Sequence, residues 1–245
     1  MAENPSKESN PLGPQNGFAA LFLSVFFAII LLYLKTEQFS PTLFEAGYIF
    51  LPSLIIVSFK GGYRILFLPI FPEKKSANLS LFFFLSAFPL SFAVANLINL
   101  FFDISEILEE LNQIILSHNL LSQIILFALA PAFFEEIFFR GVILKSFLRF
   151  GKFFSVFLTS ILFTIFHGSY QLFLPIFIMS LFLTITALFR GGLLLSIIFH
   201  FVFNLFNLIM MNFLDFEVGF ASSFALIAAF APLYAYLTVR GFKNV

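Results

Sequence analysis

Three groups of polar residues interrupt stretches of this sequence that are otherwise apolar. The first group is Glu135, Glu136 and Arg140, which follow a stretch, residues 111–134, without Asp, Glu, Lys or Arg. A charged side chain at the centre of a bilayer costs about 2.5–3.5 kcal/mol, so such residues are usually functional. The first group is therefore a candidate site.

Two of the three histidines lie in similar surroundings. Residues 153–189 contain His167 but no Asp, Glu, Lys or Arg, and residues 191–214 contain His200 with Asn204 four positions later. Together with the first group, this gives two carboxylates, two imidazoles and an amide in apolar surroundings. Such a set indicates hydrolytic chemistry, because carboxylates and imidazoles accept and return protons.

Counting along the chain predicts that Glu135 and His167 meet. We expect a helical hairpin centred near Gly151, and Glu135 lies 16 residues before this point while His167 lies 16 residues after it. In two antiparallel helices these positions have the same depth, about 24 Å from the turn. The two side chains could then share a water molecule, or bind a metal ion that activates it.

The spacing of Glu136 and Arg140 predicts an ion pair within one helix, because residues four apart lie on one face with the glutamate in the favourable N-terminal position. This pairing would leave Glu135 free to accept a proton from water. A purely structural ion pair is the alternative interpretation.

His200 and Asn204 are also four residues apart and are expected on one helix face. Their N–H donors could stabilise the oxyanion that develops during peptide hydrolysis. Alternatively, they complete a metal site with Glu135 and His167, or they form only hydrogen bonds between helices.

Composition places the chain in a membrane. Of its 245 residues, 60% are hydrophobic and 11% are charged, against about 25% charged residues in soluble domains. The net charge of zero gives no indication of a nucleic-acid partner. The absence of cysteine excludes disulfides, thiolate catalysis and cysteine-ligated zinc.

Apolar stretches predict an all-α fold, a polytopic membrane bundle of about eight transmembrane helices, each near the ~20 residues that a bilayer requires. The stretches are 18–34, 42–58, 79–102, 120–139, 153–166, 172–189, 193–211 and 220–239. Residues 103–118 have helical apolar spacing and predict an interfacial amphipathic helix.

The predicted organisation is a disordered cytoplasmic tail, residues 1–17, followed by a single transmembrane domain, residues 18–245. The catalytic core of this domain is expected at about residues 120–212. Lys and Arg are concentrated in alternate loops, which predicts cytoplasmic termini and a cytoplasmic hairpin near Gly151. We expect a multi-pass protein of a prokaryotic inner membrane.

The motif residues occur in a recognisable order. Residues 130–141 read Ala-Pro-Ala-Phe-Phe-Glu-Glu-Ile-Phe-Phe-Arg-Gly, residues 163–167 read Phe-Thr-Ile-Phe-His, and residues 200–204 read His-Phe-Val-Phe-Asn. They resemble the motifs E-E-x-x-x-R, F-x-x-x-H and H-x-x-x-N/D of the CPBP (Abi) family, which includes CAAX prenyl proteases and bacteriocin-processing intramembrane proteases. The resemblance covers about residues 120–207.

This resemblance implies an intramembrane endopeptidase that acts on a peptide or a lipidated protein within membrane lipid. It implies that Glu135 and His167 activate water, while His200 and Asn204 support the oxyanion. Two mechanisms stay open: a glutamate-dependent one without metal, and one with a divalent metal such as zinc. If a metal is used, its ligands would come from the same four residues. The H-E-x-x-H helix of ordinary zinc proteases is absent from the sequence.

Two other functions compete with proteolysis. Intramembrane Glu, His and Arg also form ion relays in proton-coupled transporters, but a carrier should have repeated halves. Here the motif residues all lie in the second half of the chain. A non-catalytic immunity or scaffold protein is the other alternative, although every motif residue is present.

Overall fold

The computed structural model describes residues 11–34, 41–60, 72–102, 105–213 and 219–244, and this described part is helical without a strand. The all-α class is therefore confirmed. The helices are α1 (Pro14–Tyr33), α2 (Thr42–Phe59), α3 (Lys74–Phe102), α4 (Ser105–Leu116), α5 (Leu120–Phe150), α6 (Lys152–Phe166), α7 (Phe173–Ala187), α8 (Gly192–Phe213) and α9 (Phe220–Asn244).

Six of these helices are long and apolar enough to cross a membrane, namely α1, α2, α3, α5, α8 and α9. Helices α6 and α7 are apolar but have 15 residues each, which is short of the ~20 that a straight span requires. The chain is thus an integral membrane protein, and the predicted count of about eight spans is approximate. Helix α4 lies within the predicted interfacial segment, residues 103–118.

Most predicted spans agree with the observed helices to within five residues at each end, but α5 is much longer than predicted. The predicted span ends at Phe139, before the charged Arg140, whereas the observed helix continues to Phe150. Arg140 is completely buried and satisfied inside the protein, so its charge does not end the helix. Two π-helical segments, Ile124–Leu129 and Ile137–Leu144, widen α5 on either side of the two glutamates.

The turn between α5 and α6 lies at Gly151, as predicted. Its φ of 98° falls in the left-handed region that glycine adopts without steric cost. Helix α6 begins at Lys152 and ends at Phe166, so His167 caps its C-terminal end. The hairpin therefore brings the two helices into the register on which the predicted meeting of Glu135 and His167 depends.

A hydroxyl group on α2 compensates for the proline in α5. The Ala130 N–H bonds to the carbonyl of Ile125, five residues back. In this register the next carbonyl, that of Leu126, would require the N–H of residue 131, but Pro131 has none. The Thr42 hydroxyl donates to the Leu126 carbonyl over 2.9 Å and fixes the start of α2 beside α5 at Leu126, nine residues before Glu135.

Two apolar clusters hold the bundle on either side of α5. One cluster joins α1, α2, α5, α6 and α8, with members such as Ile49, Phe139 and Phe163. The other joins α3, α7 and α9 to the end of α5, with members such as Phe83 and Phe182. The polar motif residues on α5 lie where these two clusters adjoin.

The N-terminal helix begins before the predicted domain boundary at residue 18. Pro14 occupies the first turn, where its missing N–H costs nothing, and the Gly13 N–H donates to Asn16 Oδ1 over 3.0 Å. These residues start α1 at Pro14. Residues 1–10 of the predicted tail lie outside the described residues.

We predict that Thr42→Val lowers the free energy of unfolding in detergent by about 1–3 kcal/mol, because it leaves the half-buried Leu126 carbonyl without a donor. Thr42→Ser keeps the hydroxyl and is the matched control, with a smaller loss. Equal stability of the valine variant and the wild-type chain in thermal unfolding would show that the hydroxyl does not stabilise α5.

Candidate active site

Helices α5, α6 and α8 bring a carboxylate and two imidazoles together. The Glu135 Oε2 atom lies 3.9 Å from His167 Nε2 and 3.8 Å from His200 Nε2. The predicted equal depth of Glu135 and His167 is therefore observed. Both separations exceed a direct hydrogen bond, and Glu135 Oε2 is buried without a hydrogen-bond partner.

In both histidines, the hydrogen bond made by Nδ1 orients the ring so that Nε2 faces Glu135. His167 Nδ1 lies 2.8 Å from the Phe163 carbonyl, and His200 Nδ1 lies 2.8 Å from Glu136 Oε1. Because a carbonyl and a carboxylate only accept hydrogen bonds, both Nδ1 atoms carry hydrogen. In the neutral rings the Nε2 lone pairs then point towards Glu135, and these acceptors are suited to a water molecule that donates between them.

The predicted ion pair between Glu136 and Arg140 is present and completely buried. Arg140 Nη1 donates to Glu136 Oε1 over 2.8 Å, and neither side chain is exposed. The same glutamate oxygen accepts from His200 Nδ1, so the pair also holds the imidazole on α8. Glu136 is thus a structural partner of Arg140 and His200, while Glu135 is left facing the two Nε2 atoms.

The remaining donors of Arg140 bind helix α7, which sequence reasoning did not connect to the site. Its Nε donates to Thr184 Oγ1 over 3.2 Å, and its Nη2 donates to the Ser180 hydroxyl and carbonyl over 2.9 and 3.2 Å. The guanidinium carbon also lies 4.2 Å from the centre of the Phe163 ring, within the range of a cation–π contact. The only sequence signal for this anchor is a pair of hydroxyl residues four apart in a charge-free helix.

A cavity of about 340 Å³ opens beside Glu135 and His167. Its wall combines residues of α5 and α6 with residues of α2, and the members are Phe44, Glu45, Tyr48, Ile49, Glu135, Phe139, Phe166 and His167. Sequence reasoning missed the α2 side, although Glu45 is the single charged residue in the stretch 42–58. Glu135 and Glu136 were identified as charged residues that interrupt apolar sequence, and Glu45 meets the same criterion.

Asn204 is the one predicted site residue that the structure does not connect to the others. It lies one turn after His200 on α8 and is half-buried. Within the described part of the chain, its side chain makes no hydrogen bond, so its amide is available to a bound group.

The side-chain donors do not fit a metal ion as they are placed. Two ligands of a tetrahedral zinc ion lie about 3.3 Å apart when each bond is about 2.0–2.1 Å long. The separations around Glu135 Oε2 are 3.8 and 3.9 Å, and among the described residues no group of three or more His, Asp or Glu is close enough to hold a metal ion. We therefore derive no chemical step through a metal.

The helical bundle and the buried glutamate–histidine cluster define a polytopic membrane protein with a candidate hydrolytic site. A family model described as "Rce1-like: Type II CAAX prenyl endopeptidase Rce1-like" matches residues 117–206. The matched segment contains all six predicted site residues, and the resemblance to the CPBP and CAAX protease family is confirmed. At the level of the family, the match supports a CAAX-type endopeptidase within the membrane. No curated protein and no solved structure matches the chain.

We predict that Arg140→Ala lowers the free energy of unfolding by about 3–5 kcal/mol, because it leaves the Glu136 carboxylate buried without its cation. Arg190→Ala is the control, since Arg190 pairs with Glu73 at the surface and such exposed pairs contribute about 0–1 kcal/mol. Thermal unfolding in detergent measures both losses. Similar melting of the Arg140 variant and the wild-type chain would contradict the assigned ion pair.

Proposed function

We propose that this chain is an intramembrane endopeptidase that hydrolyses a peptide bond in a membrane-associated or prenylated, CAAX-type substrate. The observation that carries the proposal is the placement of Glu135. Its Oε2 atom is buried, has no hydrogen-bond partner, and lies within 4 Å of two imidazole nitrogens next to a cavity. The family match over residues 117–206 supports the same class of reaction.

The first step is activation of water. A water molecule between Glu135 and His167 donates one hydrogen to the carboxylate and the other to the unprotonated Nε2 atom. Glu135 accepts a proton as the water oxygen forms a bond to the scissile carbonyl carbon. His167 orients the water, because its own Nδ1 is fixed on the Phe163 carbonyl.

The second step concerns the oxyanion that forms on the carbonyl oxygen. We assign its stabilisation to Asn204 and His200, which are one helical turn apart on α8. The Asn204 amide is a neutral donor. His200 can donate from Nε2 only as the imidazolium, and Glu136 at its Nδ1 supplies the opposite charge.

The reaction ends when the carbon–nitrogen bond breaks and Glu135 returns its proton to the leaving amine. Glu136 and Arg140 take no part in proton transfer in this scheme. They hold the His200 ring and the helices around Glu135 in position. The cavity volume of about 340 Å³ lies at the lower end of the ~300–1,000 Å³ range of ligand pockets.

We propose a multi-pass location in a prokaryotic inner membrane, and the six helices that are long and apolar enough to span support the multi-pass part of this proposal. A proton-coupled carrier and a non-catalytic immunity or scaffold protein are the competing functions. Each gives a different result with purified protein. A carrier transports a solute with protons in liposomes and cleaves nothing, and a non-catalytic protein does neither.

We predict that Glu135→Gln and His167→Ala each lower peptide cleavage by about 10²–10⁴-fold, the contribution typical of a general base. The assay uses a fluorogenic peptide in matched prenylated and unprenylated forms, with the protein in detergent or nanodiscs. His118→Ala is the control, because His118 lies outside the motifs and its exposed ring hydrogen-bonds to Ser117 and the Ile114 carbonyl, away from Glu135. Retained cleavage in the Glu135 variant would refute the assignment of the base.

We also predict that removal of metal ions leaves the activity unchanged, because the proton transfers above involve only side chains and water. Elemental analysis after chelation, together with the turnover of the same sample, measures this. Activity that is lost on chelation and restored by zinc alone would contradict the mechanism. It would then place Glu135, His167 and His200 in a metal site instead.

A further inference from the structure

Helix α2 forms one wall of the candidate active site, although it lies outside the residues that the family model matches. It supplies four of the residues that line the cavity: Phe44, Glu45, Tyr48 and Ile49. None of these belongs to the motifs that led to the proposed function. The proposed function therefore assigns no role to the polar α2 residues of this wall, Glu45 and Tyr48.

The position of α2 relative to α5 is fixed on both sides of Glu45. Before it, the Thr42 hydroxyl binds the Leu126 carbonyl of α5 over 2.9 Å. After it, the Phe50 ring stacks on the Phe134 ring with the centroids 4.7 Å apart. Glu45 lies between these two anchors and therefore faces the part of α5 that carries Glu135.

Glu45 on α2 and Glu135 on α5 line the same cavity. Two neighbouring carboxylates in a partly buried cavity repel each other, and one proton shared between them removes this repulsion. Glu45 Oε1 and Glu135 Oε2 are both buried without a hydrogen-bond partner. Within the described part of the chain, no lysine or arginine lines this cavity to neutralise Glu45.

We propose that Glu45 is a positioning residue for the reaction, and that its carboxylic acid donates a hydrogen bond to Glu135. This bond fixes the orientation of the Glu135 carboxylate, so that Oε2 stays directed at His167 and His200. The inference rests on the proposed function, since it concerns the same glutamate base. It adds to the family motifs a residue from α2 that none of them contains.

The test compares Glu45→Gln with Glu45→Leu in the cleavage assay. A glutamine N–H can still donate to Glu135, so Glu45→Gln is expected to retain most of the wild-type kcat. Leucine has a similar volume but no donor, and the loosened base is expected to lower kcat by about 10- to 100-fold. KM should stay unchanged in both variants, because Glu45 acts through Glu135 and not on the substrate.

The outcomes separate this inference from the proposed function. Absence of cleavage by the wild-type chain would contradict the proposed function itself. Wild-type cleavage with an unchanged kcat in Glu45→Leu would overturn only the role of Glu45. An equal loss of kcat in the glutamine and leucine variants would also overturn it, because the carboxyl group would then transfer a proton and not merely orient Glu135.

A second measurement decides the question if Glu45→Leu does not fold. The infrared spectrum of the wild-type protein should contain the C=O stretching band of a protonated carboxylic acid in the site. This band should disappear in Glu45→Gln, which keeps the size and the hydrogen bond of the side chain. An unchanged band in the folded glutamine variant would overturn the proposal without reference to activity.

Discussion

The burial of Arg140 is the constraint on which the rest of this structure depends. A guanidinium group that is taken out of both water and lipid headgroups is tolerated only if its donors find partners. Here the partners come from Glu136 on the same helix and from Ser180 and Thr184 on α7. Glu136 in turn binds His200 on α8, so one buried cation holds three helices in a fixed arrangement.

In this arrangement the adjacent residues Glu135 and Glu136 have different roles. Glu136 accepts from Arg140 and His200 on one of its oxygens, whereas Glu135 directs Oε2 at two imidazole nitrogens beside a cavity. Neighbouring residues on a helix point about 100° apart, so the two glutamates face different groups, and they meet only opposite nitrogens of the His200 ring. The chemistry that we propose depends on this division.

The sequence predicted those parts of the site that follow from spacing along one helix or across one short turn. The pairing of Glu136 with Arg140 needed only the i,i+4 rule, and the meeting of Glu135 with His167 needed only equal counts from Gly151. Contacts between distant helices could not be predicted in this way. The partners Ser180 and Thr184 on α7, and Glu45 on α2, reach the site through packing, which has no local pattern in an apolar sequence.

The length of α5 was missed for a related reason. A charge in an apolar stretch usually marks the membrane boundary, and this rule ended the predicted span before Arg140. The rule fails when the charge is paired inside the protein. Likewise, Pro131 removes one backbone donor from α5, but the compensating hydroxyl of Thr42 comes from a helix far away in sequence.

The most direct test of the account measures distances around Glu135 in a lipid bilayer. Solid-state NMR can detect dipolar coupling between 15N-labelled histidine rings and 13C-labelled glutamate carboxyl groups, and the chain has only three histidines. We predict couplings from the Nε2 atoms of His167 and His200 to the carboxyl carbon of Glu135, whose Oε2 atom lies 3.9 and 3.8 Å from these nitrogens. Both couplings should disappear in Glu135→Gln. Histidine rings without coupling to any glutamate carboxyl group would contradict the convergence of the three helices on one site.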